Sequence, residues 1–175
     1  MALAGFMASG KSTIGRRLAR RLSWEFCDTD SLVTREHGAI ADIFTSEGEP
    51  AFRAYEHDAL AAALDRPVST VIALGGGTLT LAANRELVRH RAYCVFIKVS
   101  PKQILARILR SREARPLLGN DPTLARISEL YAKRMADYES ADFAIDASRR
   151  SDAQVIAEIL HWLRERKILT AGDAS

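Results

Sequence analysis

The sequence predicts an α/β protein, a single domain in three α/β/α layers around a central parallel sheet of about five strands. Two observations carry this. Short aliphatic runs alternate with amphipathic stretches along the whole chain, the pattern of a parallel sheet covered on both faces. A glycine-rich stretch, "GFMASGKSTIG", sits between the first aliphatic run and the first helical one, where a strand hands over to a helix.

Taken in order, "ALAGF" is the first strand and the helix begins at about Lys11, with Ile14, Leu18 and Leu22 recurring at helical spacing. "WEFCD" is the second strand, followed by helical sequence to about Leu64 that "GEPAF" interrupts near Pro50. "STVIAL" is the third strand, with a helix after Thr80. "AYCVFIKV" is the fourth, with a helix from Pro101 and another around Ile127 to Tyr138. "FAID" is the fifth, before a last helix from about Asp152 to Lys167. Right-handed crossovers then give a doubly wound sandwich. The domain is expected over residues 1–167, with a frayed tail at 168–175. The charged segment "SREARPLLGNDP", about 111–122, breaks the periodicity and carries Pro116, Gly119 and Pro122. It reads as a mobile lid, with an ordinary surface loop as the alternative.

A chain of 175 residues can bury a substantial core without disulfides or metals. Cys27 and Cys94 lie far apart in apolar surroundings, which suits buried thiols in a reducing compartment and points to the cytoplasm. No apolar run approaches the roughly 20 residues of a membrane span, and the start lacks a signal-peptide pattern. The net charge is +3, but Arg16, Arg17, Arg20 and Arg21 form one run and Arg107, Arg110, Arg112 and Arg115 another. The first run decorates the outer face of an amphipathic helix. Without aromatic interleaving or a recognisable binding module, nucleic acid is not an expected partner.

Gly5, Gly10, Lys11 and Ser12 match G-x-x-x-x-G-K-[ST] in the strand-to-helix context the motif needs. The backbone N–H groups of Ala8, Ser9, Gly10, Lys11, Ser12 and Thr13 can surround phosphates at the positive end of the following helix. Lys11, expected to be exposed, would bridge the terminal phosphates, and the Ser12 hydroxyl would ligate magnesium. The motif predicts a P-loop NTPase fold whose loop holds a nucleoside triphosphate. Its third strand runs into Gly75, Gly76 and Gly77 where many P-loop proteins place a magnesium-supporting aspartate. Asp28 and Asp30, in "CDTD", are expected to supply the acid. An extended backbone would project both to one side, one supporting magnesium and the other meeting an acceptor hydroxyl. The three glycines clear the carboxyl end of a strand for a close approach.

In series, "GFMASGKSTIG", "DTD", "IADIF", "GEPAFRAYE", "LGGG", "RPLL", "KRMADY" and "DASRR" resemble the shikimate kinase family along nearly the whole chain. The resemblance implies γ-phosphoryl transfer from ATP to the 3-hydroxyl of shikimate, in the route to chorismate and the aromatic amino acids. It implies ATP contacts from the P-loop, Arg115 and Arg150, with Arg150 by the adenine, and magnesium near Ser12 and Asp28. Shikimate would be held by Asp30, Arg53, Arg134 and the glycines Gly75, Gly76 and Gly77, with the arginines on its carboxylate and Glu56 orienting Arg53. Lys11, Asp30 and Arg115 would be the catalytic set, and the protein would act as a monomer. One position departs from the family, and one role resists placement. Ala8 stands where the family commonly has glycine and is expected to fit if its φ stays negative, while Arg107 and Arg110 are both candidates for stacking on adenine. A kinase for another small acceptor such as gluconate, or an ATP-binding protein without turnover, are the competing readings.

Overall fold

The computed structural model describes residues 1–111 and 122–169. Residues 112–121 of the expected lid, Arg115 among them, and residues 170–175 of the expected tail lie outside the described residues. Five parallel strands form one sheet in the order β2-β3-β1-β4-β5. They are β1 (Ala2–Ala4), β2 (Glu25–Asp28), β3 (Thr70–Ala73), β4 (Cys94–Lys98) and β5 (Phe143–Asp146). Every residue of β1 and β3 is buried, so both faces of the sheet centre are covered and aliphatic side chains are required on each.

Helix α1 (Lys11–Leu22) buries Ile14, Leu18 and Leu22. Its arginine run stays at the surface, where Arg16 lies over the Phe26 ring and Arg17 pairs with Asp152. Helix α8 (Asp152–Glu165) packs against α1 and β5. It starts with a capping box in which the Ser151 hydroxyl accepts from the Gln154 N–H. Ile168 and Leu169 still pack on the core, and the Ile168 N–H reaches the Leu163 carbonyl, so the expected frayed tail begins with a docked apolar pair.

Between β2 and β3 lie three helices, α2 (Thr29–His37), α3 (Ile40–Ser46) and α4 (Gly48–Leu64), which enclose a small core of Val33, Ile43, Phe52 and Ala59. The break falls at Glu47, and Gly48 has φ 85°. Pro50 sits inside the first turn of α4 and does not interrupt it, because a first-turn residue has no intrahelical N–H bond to lose. After β3, a 3-10 turn (Thr78–Thr80) leads into α5 (Ala82–Arg91). Helix α6 (Pro101–Arg110) begins on proline, and α7 (Leu124–Tyr138) is capped by the Thr123 hydroxyl.

Cys27 and Cys94 are buried and unbridged, and burial pushes the Cys94 thiol up to about 12. Among the described residues no helix is long and apolar enough to cross a membrane. The crossover leaving β1 runs to β2 on one side, and the one leaving β3 runs to β4 on the other. A crevice therefore opens at the carboxyl ends of these strands, where the P-loop, the three glycines and Asp28 come together.

Candidate active site

The P-loop closes over its own lysine. Lys11 Nζ donates to the Gly5 carbonyl at 2.9 Å and the Phe6 carbonyl at 3.0 Å, and the residue is only 8% exposed. The exposed lysine expected from the sequence is thus a buried one, because two backbone carbonyls at the end of β1 accept its charge. Gly10, just before α1, has φ 100°, a conformation that favours glycine. Ala8 has φ 58°, so the negative φ on which an easy fit depended is not met. The turn demands a left-handed residue whatever its side chain, at a cost of roughly 1–2 kcal/mol for an L-residue bearing a Cβ. Arg107 Nη1 donates to the Ala8 and Ser9 carbonyls at 3.0 and 2.9 Å, tying α6 to this turn. Arg110 is exposed on the same helix. Ser9 is buried, with no partner for its hydroxyl among the described residues, and Thr13 is exposed in the first turn of α1.

Ser12 Oγ donates to Asp28 Oδ2 at 2.6 Å. Asp28 is the last residue of β2 and also the N-cap of α2, where Oδ1 accepts from the Ser31 N–H at 3.3 Å. The helix therefore starts at Thr29, and Asp30 belongs to its first turn, not to an extended strand end as the two-residue spacing suggested. Strand alternation does not relate the two carboxylates; the capping geometry does. A Cβ on Gly75 would lie 2.5 Å from both Asp30 Oδ1 and Glu56 Oε1, so the missing side chain is what lets these carboxylates approach the turn.

The next two glycines serve two arginines. A Cβ on Gly77 would meet Arg53 Nη1 at 2.5 Å, while the Gly76 carbonyl accepts from Arg134 Nη1 at 2.9 Å and from the Tyr138 hydroxyl at 2.6 Å. Arg134 is buried, with its guanidinium 5.4 Å from the centre of the Phe6 ring. Arg53 donates Nη1 to Glu56 at 2.7 Å, and both Nε and Nη2 to Glu49 at 3.2 and 2.8 Å. Burial works against the Arg53 charge, but these carboxylates outweigh it and hold the guanidinium above its ordinary pKa. Burial also pushes the Tyr138 phenol up to about 12, so it remains a donor to Gly76.

The structure thus gathers Lys11, Ser12, Asp28, Asp30, Arg53, Arg134 and the three glycines around one crevice. Arg150 stands apart, donating to the Asp146 carbonyl at 3.0 Å and pairing with Glu158 at 3.2 Å. Sequence reasoning gave no role to Thr29, whose hydroxyl accepts from the Gly75 N–H at 2.9 Å. Thr78 and Asn84, both fully buried beside the glycines, were missed as well. Nothing in their local sequence separates them from ordinary turn and helix residues.

The shikimate kinase family model matches residues 7–164. A shikimate kinase of Geobacter metallireducens is 38% identical over 165 residues, covering 94% of this chain and 91% of that protein. One from Chlorobium chlorochromatii is 40% identical, covering 99% of this chain and 94% of the relative. Among solved structures, shikimate kinase from Acinetobacter baumannii in complex with shikimate superposes with a TM-score of 0.89 at 34% identity, covering 96% of this chain and 94% of that one. A deoxyadenosine kinase from M. mycoides shares the fold alone, at 15% identity and a TM-score of 0.57. A P-loop, an acid at the end of β2, two arginines on a glycine turn and a match across most of the chain agree: this protein belongs to the shikimate kinase family.

Proposed function

We propose that this protein transfers the γ-phosphoryl group of ATP to the 3-hydroxyl of shikimate, giving shikimate 3-phosphate and ADP. The observation that carries the reading is the convergence on one glycine turn of Arg53 against Gly77, Arg134 on the Gly76 carbonyl and Asp30 against Gly75. A small ring acid bearing hydroxyls asks for that combination. The guanidinium groups recognise a planar carboxylate at two points, and the carboxylate of Asp30 orients a hydroxyl and takes its proton. The shikimate held by the Acinetobacter baumannii relative supports this choice of acceptor.

Phosphoryl transfer needs positioning and charge neutralisation more than covalent chemistry. On this reading the acceptor hydroxyl attacks the γ-phosphorus in line and ADP departs, with Asp30 receiving the proton. Lys11 stabilises charge on the transferring group, moving from the Gly5 and Phe6 carbonyls toward phosphate. Ser12 Oγ and Asp28 Oδ2 are hard oxygen donors beside the P-loop, a set that suits Mg²⁺ completed by phosphate and water oxygens. Bound there, magnesium would offset the negative charge of the phosphates. Arg115 completes the proposed phosphate contacts from outside the described residues, and Arg150 the nucleotide contacts. The buried free thiols support a cytoplasmic setting. The monomer that the family resemblance implies is the oligomeric state proposed.

The test is ADP release with ATP and magnesium against shikimate, gluconate and nucleoside monophosphates in parallel. Turnover with shikimate alone is expected. Preferred turnover of gluconate would move the assignment to another acceptor, and nucleotide binding without turnover on any of them would make the protein an ATP-binding protein only.

A further inference from the structure

Behind the Arg53 guanidinium runs a closed circuit of buried and part-buried hydrogen bonds that joins α4, the glycine turn and α5. Glu56, 1% exposed, accepts from Arg53 Nη1 on Oε2 and from the Thr78 hydroxyl on Oε1, each at 2.7 Å. Thr78 is fully buried, and its carbonyl accepts from Asn84 Nδ2 at 2.9 Å. With Nδ2 committed to that carbonyl, Asn84 Oδ1 faces His57 Nδ1 at 2.6 Å, so Nδ1 carries the proton and donates. His57 follows Glu56 in α4, and the circuit closes there. Arg85, next to Asn84, secures the same turn from its other side. Its Nη1 donates to the Leu79 and Thr80 carbonyls and reaches Asp137 at 2.9 Å, on the helix that carries Arg134.

We infer that Thr78, held by Asn84, is a positioning residue for the acceptor: its hydroxyl fixes the Glu56 carboxylate, which in turn aims Arg53 at the substrate carboxylate. This rests on the reading of Arg53 as a carboxylate anchor. A buried carboxylate with one donor removed must turn toward whatever donor remains. Here the remaining donor is Arg53 itself. Without the Thr78 hydroxyl, both Glu56 oxygens compete for the guanidinium, and N–H groups needed for substrate are drawn inward. The hydrogen bonds of this circuit run between α4, the glycine turn and α5, so the effect is expected to fall on the acceptor.

Steady-state kinetics of Thr78→Val, Thr78→Ser and Arg53→Lys, with thermal melts alongside, test this. Thr78→Val keeps the shape and removes the hydroxyl. It is expected to raise the KM for shikimate about tenfold, the scale of losing one hydrogen bond to a buried charged group, and to leave kcat and the KM for ATP within about twofold. Thr78→Ser restores the hydroxyl and should restore the KM. Should valine not be accommodated, Thr78→Ala makes the same comparison. An unchanged shikimate KM in the folded hydroxyl-less variant, or a parallel loss of kcat and both KM values that Thr78→Ser does not rescue, overturns the inference. If Arg53→Lys raises the shikimate KM and Thr78→Val does not, the positioning role alone fails. If Arg53→Lys leaves that KM unchanged, the anchor reading fails and the inference with it.

Discussion

The Ser12 hydroxyl donates to the Asp28 carboxylate at 2.6 Å, joining the first turn of the P-loop helix to the end of the neighbouring edge strand. Asp28 serves two ends at once, since its other oxygen caps α2 through the Ser31 N–H. The two duties separate by substitution. Asp28→Asn keeps an acceptor for the cap and loses the charge, so its melting temperature should stay near that of the parent while the magnesium needed for half-maximal rate rises about tenfold. Asp28→Ala loses both, and should also be destabilised by about 1 kcal/mol. Magnesium titrations and melts of the two variants read this out, and equal magnesium requirements in all three proteins would remove Asp28 from the metal site.

Lys11 gives a different balance. Because Nζ is bonded to the Gly5 and Phe6 carbonyls, Lys11→Ala should abolish turnover and also lower stability by about 1.5–3 kcal/mol, the range for hydrogen bonds that involve a charged group. Urea unfolding beside the ADP-release rate checks both. Near-normal activity would take the P-loop lysine out of the reaction, and unchanged stability would mean that its carbonyl contacts contribute nothing to the loop.

Ala8 sits at φ 58° with its carbonyl held by Arg107. Ala8→Gly should stabilise the protein by up to about 1 kcal/mol, the relief of left-handed strain being partly offset by glycine's greater freedom when unfolded. The KM for ATP should not rise. A destabilised Ala8→Gly protein would show that the loop holds this conformation without strain.

The strands and most helices were legible because their signals are local: aliphatic runs, the spacing of Ile14, Leu18 and Leu22, and Pro101 at a helix start. The P-loop was legible for the same reason. The start of α2 was not, since "CDTD" reads equally as a strand end, and only the Asp28 cap decides that Asp30 is helical. Nor was the break at Glu47, which Pro50 seemed to mark. The tie from Arg107 to the P-loop was not legible, because its partners Ala8 and Ser9 lie 99 and 98 residues away in sequence. Thr78 and Asn84 were invisible for a related reason: their meaning depends on Glu56 and His57 reaching them from another helix.

The two arginines should respond differently to removal. Arg134→Ala leaves the Gly76 carbonyl its Tyr138 donor, so the turn survives and the loss should fall on shikimate, with a KM raised about ten- to a hundredfold. Arg53→Ala strands the buried Glu56 carboxylate and should lower stability as well. Shikimamide, lacking the negative charge, should bind the parent enzyme weakly and lose less from either substitution. Equal losses for acid and amide would show that neither arginine reads the carboxylate.

The most direct measurement is the identity of the product. Incubated with ATP, magnesium and shikimate, the protein should form one phosphate ester per ADP released, with the phosphorus coupled in NMR spectra to the proton on carbon 3 of the ring. ADP appearing at the same rate without shikimate, or an ester at another hydroxyl, would contradict the assignment.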